Sequence, residues 1–127
     1  MLNFKNLNTI TAAGSLVNSL FYLLAPAFSL SLMGASASPI GLMITRVAGA
    51  CALGMCVISW LSRNWTDPAL QRVVIAGNLT MLAALSVIEI HGILSGAMNW
   101  VGWLFVGADT LLAAGYAAML KKVWGDE

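Results

Sequence analysis

Apolar residues fill this chain in four long stretches separated by short polar links. A helix needs about 20 mostly apolar residues to cross a bilayer's hydrocarbon. Stretches at about 7–32, 40–61, 69–94 and 100–120 meet that requirement and leave little else. The links carry start and stop signals. Ser38-Pro39 and Asp67-Pro68 each pair a side-chain oxygen able to accept from a helix's first N–H groups with a proline at the first helical position, where its missing N–H costs nothing. Pro26 lies inside the first stretch, where it deprives the carbonyl near Tyr22 of its donor and predicts a bend near that span's far end. The pattern predicts one all-α domain over residues 1–127, an integral membrane protein built as a four-transmembrane-helix, up-down-up-down bundle.

The first stretch also carries features of a secretory leader: Lys5 precedes the apolar run, and Ala35-Ser36-Ala37 resembles a cleavage site. The run is longer than the 7–15 residues of a typical leader core, which predicts a retained span.

Within the spans, polar residues recur at helical spacing. Thr11, Ser15, Asn18 and Tyr22 form a stripe on the first, Asn78 and Glu89 align with Leu82, Leu85 and Ser86 on the third, and Asp109 aligns with Leu112, Ala113 and Tyr116 on the fourth. The second span offers Arg46 above Gly49, Ala50 and Leu53. The simplest bundle turns all four lines inward. Small residues such as Ala50 and Gly54, or Ala113, Ala114, Ala117 and Ala118, predict close helix seams, because helices in lipid associate by packing and not by the hydrophobic effect.

Composition agrees with this reading. Hydrophobic residues make up 60% of the chain and charged ones only 9%, a balance that a water-soluble domain can reach only with large exposed apolar patches. The net charge of +1 gives no nucleic-acid surface. Its distribution matters more. Lys5, Arg63, Arg72, Lys121 and Lys122 all fall on one side of a four-span arrangement, and the two links on the other side contain neither Lys nor Arg. By the positive-inside rule both termini are cytoplasmic, in a multi-pass protein of the cell membrane, of the bacterial inner-membrane kind. Trp60, Trp65 and Trp124 then mark the inner interface and Trp100 and Trp103 the outer one. Cys51 and Cys56 lie five residues apart on one helix, pointing about 140° from each other, and cannot bond together.

Three charged residues lie within the spans, where each costs roughly 2.5–3.5 kcal/mol on insertion scales unless it finds a partner. These are Arg46, Glu89 and Asp109, joined by Asn18, Asn78, Tyr22 and Tyr116 as candidates for an intramembrane polar network or a ligand site. Arg46 and Glu89 share a layer, and Asp109 lies deeper but within reach of a long arginine stem, which predicts that Arg46 pairs with Glu89, Asp109 or both. The bland reading of this group is a satisfied network that fixes helix register; the sharper one is a small cavity holding a ligand's polar end. His91, two residues from Glu89 and so on nearly the opposite face, is a partner-facing candidate. With one His and no cysteine in register, no metal site is expected. Neither a phosphate-binding loop nor a Ser-His-Asp or Cys-His arrangement can be assembled, so no catalytic residues are assigned and no cofactor is indicated.

The segment Arg46-Val47-Ala48-Gly49, followed by Leu53-Gly54 and the polar turn Arg63 to Asp67, resembles the second helix of small bacterial four-helix membrane proteins of the DoxX-like superfamily. That resemblance implies an accessory or lipophile-handling role and transfers no catalytic residue. Two functions follow as expectations. The first is an accessory subunit or assembly partner of a larger membrane complex, or a homo-oligomer, supported by the near absence of extramembrane mass. The alternative is a binder or enzyme for a lipophilic small molecule such as a quinone, sterol-like lipid or pigment. A small multidrug-type transporter ranks lower, because such proteins depend on a carboxylate in the first span and none is present there.

Overall fold

The computed structural model describes residues 3–125. It contains five helices: α1 (Phe4–Leu24), α2 (Pro26–Leu32), α3 (Pro39–Ser62), α4 (Pro68–Leu94) and α5 (Gly102–Gly125). All but α2 are long and apolar enough to cross a membrane. The first apolar stretch is therefore two helices, not one. The chain leaves helical geometry at Ala25 (φ −132°, ψ 53°), α2 restarts with Pro26 at its first turn, and the rings of Phe21 and Phe28 stack across the break at 6.1 Å.

The helix starts follow side-chain chemistry. The Ser38 hydroxyl accepts from Gly41 N at 3.1 Å, and the Asp67 carboxylate accepts from Ala69 N at 2.8 Å. Asn3 does the same for α1, accepting from Asn6 N at 2.8 Å, and so begins that helix three residues before the expected Leu7. At the other extreme α5 runs to Gly125, past the expected end at Leu120. Lys121 and Lys122 sit in that extension, where positive charge suits a helix C-terminus, and Arg72 donates from Nη2 to the Val123 carbonyl at 3.0 Å.

The four long helices assemble as two tight pairs, α1 along α3 and α4 along α5. The pairs meet more sparsely, α1 with α5 and α3 with α4, so each long helix has two neighbours and faces the fourth diagonally. The closest approach of α1 and α3 is set at Gly49. A Cβ there would lie 2.9 Å from Leu23 Cγ, 2.9 Å from Tyr22 Cβ and 3.1 Å from the Leu23 backbone nitrogen. The seam expected at Ala50 and Gly54 is displaced by one position: Ala50 is exposed, and a Cβ on Gly54 would meet nothing within 4 Å. Gly102 plays the equivalent part between α4 and α5, against Ile93.

The apolar core occupies one end of the bundle only. Phe4 and Leu7 of α1, Val74 and Ile75 of α4, and Tyr116 and Met119 of α5 pack together there, with Leu82 at the inner limit. This is the near end of the bundle; the far end carries Met33 and Asn99.

Candidate functional site

Five buried polar side chains from all four long helices converge at the near end: Asn8 and Thr11 (α1), Ser59 (α3), Asn78 (α4) and Tyr116 (α5). Asn78 Nδ2 is the hub, facing the Tyr116 hydroxyl at 2.9 Å, the Ser59 hydroxyl at 3.0 Å and Asn8 Oδ1 at 3.3 Å. Two amide hydrogens serve three acceptors, so the longest contact is the weakest. Tyr116 in turn donates to Asn8 Oδ1 at 2.6 Å and lies 3.0 Å from Thr11 Oγ1. Asn8 Nδ2 is buried without a partner among the described residues. In lipid no water competes for these groups, so the network holds the two helix pairs at a fixed register.

Above this network lies a cavity of about 880 Å³, lined by all four long helices. Thr11 belongs to both features: its hydroxyl touches Tyr116 and its side chain forms part of the cavity wall, so the network is the cavity's floor. The walls are chiefly apolar, with Val17, Met55, Leu85, Phe105 and Leu112 among them. Their polar exceptions are Ser15, Asn18 and Tyr22 on α1, Cys51 on α3, Glu89 on α4 and Asp109 on α5. Glu89 Oε2 is buried and has no hydrogen-bond partner among the described residues. Lining residues that are themselves exposed sit on helix flanks, with Ile10 (57% exposed) and Val17 (52%) on α1 and Leu104 (63%) on α5. No loop residue lines the cavity, so its mouth opens sideways, toward the face a bilayer would cover.

The far end is tied separately. Asn99, in the link before α5, donates from its backbone to the Met33 carbonyl at 2.9 Å and from Nδ2 to the Leu32 carbonyl at 3.0 Å, while its Oδ1 accepts from Val101 N at 2.9 Å. Gly34, at φ +79°, packs its Cα against the Asn99 side chain; a Cβ there would lie 3.2 Å from Asn99 Cβ. Hydrogen bonds thus bridge the two helix pairs at both ends, and the cavity occupies the length between.

The candidates named from sequence separate into three groups. Asn78 and Tyr116 enter the closed network. Asn18, Tyr22, Glu89 and Asp109 line the cavity. Arg46 joins neither: its side chain is exposed on α3, it does not line the cavity, and among the described residues it forms no ion pair with Glu89 or Asp109. The expectation that Arg46 pairs inside the bundle is corrected accordingly. Arg46 and Gly49, three residues apart, lie about 60° from each other around the helix, so with Gly49 against α1 the arginine falls at the edge of that seam, where its long side chain is exposed. His91 is exposed in the last turn of α4. No group of three metal-ligating side chains occurs among the described residues.

Sequence reasoning missed Asn8 and Ser59. Asn8 was findable, since it precedes Thr11 by three residues and extends the stripe through Ser15, Asn18 and Tyr22 by one turn. Ser59 had less signal, with only Ser62, three residues on, sharing its face. No family model, curated protein or solved structure matches this chain.

Proposed function

We propose that this protein is a multi-pass membrane protein that takes a lipophilic small molecule from the bilayer into the cavity between its helix pairs. The observation that carries the reading is the cavity itself: about 880 Å³, apolar-walled, open through the helix flanks and furnished with a few convergent polar groups. Drug-sized ligands occupy pockets of roughly 300–1,000 Å³ with this mixture of apolar walls and sparse polar anchors. The lipophile-handling role implied by the DoxX-like resemblance at Arg46-Val47-Ala48-Gly49 is part of the same proposal.

The arrangement in the membrane belongs to the proposal too. An up-down-up-down order is supported by the partners at each end, Asn8 with Tyr116 and Met33 with Asn99. With Lys5, Arg63, Arg72, Lys121 and Lys122 near one end, that end is cytoplasmic in a cell membrane. Exposed Trp60, Trp65 and Trp124 stand at that boundary, and exposed Trp100 and Trp103 at the other.

Mass spectrometry of molecules retained by protein purified in mild detergent tests the binding role. The expected result is one lipophile per chain, lost when Ala108 on the cavity wall is replaced by Trp. Recovery of bulk phospholipid alone, unchanged by the substitution, would overturn the reading.

One observation favours a second reading, an accessory subunit of a larger membrane complex. Arg46 faces outward on α3, about 10 Å along the helix from Pro39. α3 is also the least buried of the long helices. A partner helix bearing a carboxylate at that depth would satisfy the charge. Copurification that is lost in Arg46→Met distinguishes this reading, since Arg46 does not line the cavity.

A further inference from the structure

The cavity's chemistry is lopsided. Two carboxylates, Glu89 from α4 and Asp109 from α5, face it, and none of the chain's six Lys and Arg residues lines it. Arg46, exposed on α3, pairs with neither acid among the described residues. A carboxylate in an apolar enclosure ordinarily has a cation or several donors against it. Here the fold has built the enclosure and left that partner out: Glu89 Oε2 is buried and unbonded among the described residues.

The remaining walls point the same way. Tyr22 and Phe105 supply aromatic surface on opposite helix pairs, α1 and α5. Aromatic faces combined with nearby carboxylates are the means by which proteins hold quaternary and tertiary ammonium groups, whose charge is spread over an apolar shell. A metal ion is a poorer fit, because no group of three ligating side chains forms among the described residues and most of the wall is hydrocarbon. An anionic amphiphile would meet two like charges with no cation to offset them.

We infer that the cavity selects lipophilic cations: molecules with an apolar body seated along Val17, Met55, Leu85 and Leu112 and an alkylammonium end held between Glu89, Asp109 and the ring of Tyr22. This rests on the binding role proposed above and specifies its ligand class. The sideways mouth suits such molecules, which concentrate in the bilayer with their apolar part in the hydrocarbon. Thr11, Ser15 and the network behind them close the cavity floor.

The test uses the full chain in nanodiscs of zwitterionic phosphatidylcholine, with empty nanodiscs subtracted. A radiolabelled aryl-alkyl trimethylammonium probe is compared with its uncharged tert-butyl isostere, which has the same shape. The expected result is saturable binding of one cation per chain, at least tenfold tighter than the isostere. In Glu89→Gln and in Asp109→Asn that preference should shrink severalfold while binding of the isostere persists, which also shows that the cavity has survived the substitution. Equal binding of both probes to the unsubstituted protein would overturn the cation inference and leave the lipophile-binding role standing. Saturable binding of neither would overturn both.

Discussion

The hydroxyl of Tyr116 lies 2.6 Å from Oδ1 of Asn8, joining the last long helix to the first across 108 positions of sequence. This short bond fixes how α5 sits against α1, two helices that otherwise meet only sparsely. Replacing Tyr116 by Phe keeps the ring and deletes the bond, leaving Asn8 Oδ1 and Thr11 Oγ1 short of a partner. Interhelical hydrogen bonds in membranes contribute roughly 0.6–1.7 kcal/mol, and a buried polar group left unmatched costs about 1–3 kcal/mol. A loss of about 1–2 kcal/mol in denaturant unfolding from mixed micelles is expected for Tyr116→Phe. A loss indistinguishable from zero would mean that the network adds nothing beyond packing.

Glycine substitutions separate the true seam from the apparent one. Gly49→Ala drives a methyl group into Leu23 and Tyr22, including a backbone nitrogen that cannot rotate away. Overpacking of this kind costs about 1–3 kcal/mol. Gly54→Ala meets open space and gains about 0.5–1 kcal/mol of helix propensity. The two variants should therefore move thermal stability in opposite directions, and equal effects would refute the Gly49 contact.

Arg46 should act independently of the two acids. In double-mutant cycles combining Arg46→Met with Glu89→Gln, and separately with Asp109→Asn, the coupling is expected to stay within about 0.5 kcal/mol, the range for sites that share no partner. Coupling of about 3 kcal/mol, as for a buried pair, would restore the internal ion pair that the structure lacks.

Orientation is decided by two exposed positions at opposite ends, Ser36 and Asn64. In a background with Cys51 and Cys56 replaced by serine, a cysteine at Ser36 should react with an impermeant maleimide applied outside intact cells. One at Asn64 should react only after the membrane is opened, and the reverse pattern would invert the proposed topology.

The number and rough extent of the long helices were legible in the sequence because the cost of unpaired backbone in hydrocarbon makes spanning segments long, apolar and helical, a pattern written in consecutive residues. The starts at Pro39 and Pro68 were legible for a similarly local reason, since Ser38 and Asp67 reach N–H groups only two or three residues ahead. The break at Ala25 was half legible: Pro26 announces a bend, but whether a proline bends a helix or ends it depends on what packs around it. The polar candidates show the limit most clearly. Asn78 and Glu89 share a stripe three turns long, yet Asn78 joins a closed network and Glu89 an open cavity, because the helix pairs pack together at the near end and leave a cavity along the length beyond it. Helical periodicity states which residues share a face, not what the face meets. That was set by the approach of α1 and α3 at Gly49, by the hub at Asn78, and by the Asn99 tie to Met33, three contacts between residues distant in sequence. Tertiary packing likewise left Arg46 exposed on α3, and Glu89 and Asp109 facing a space that none of the chain's Lys or Arg residues lines.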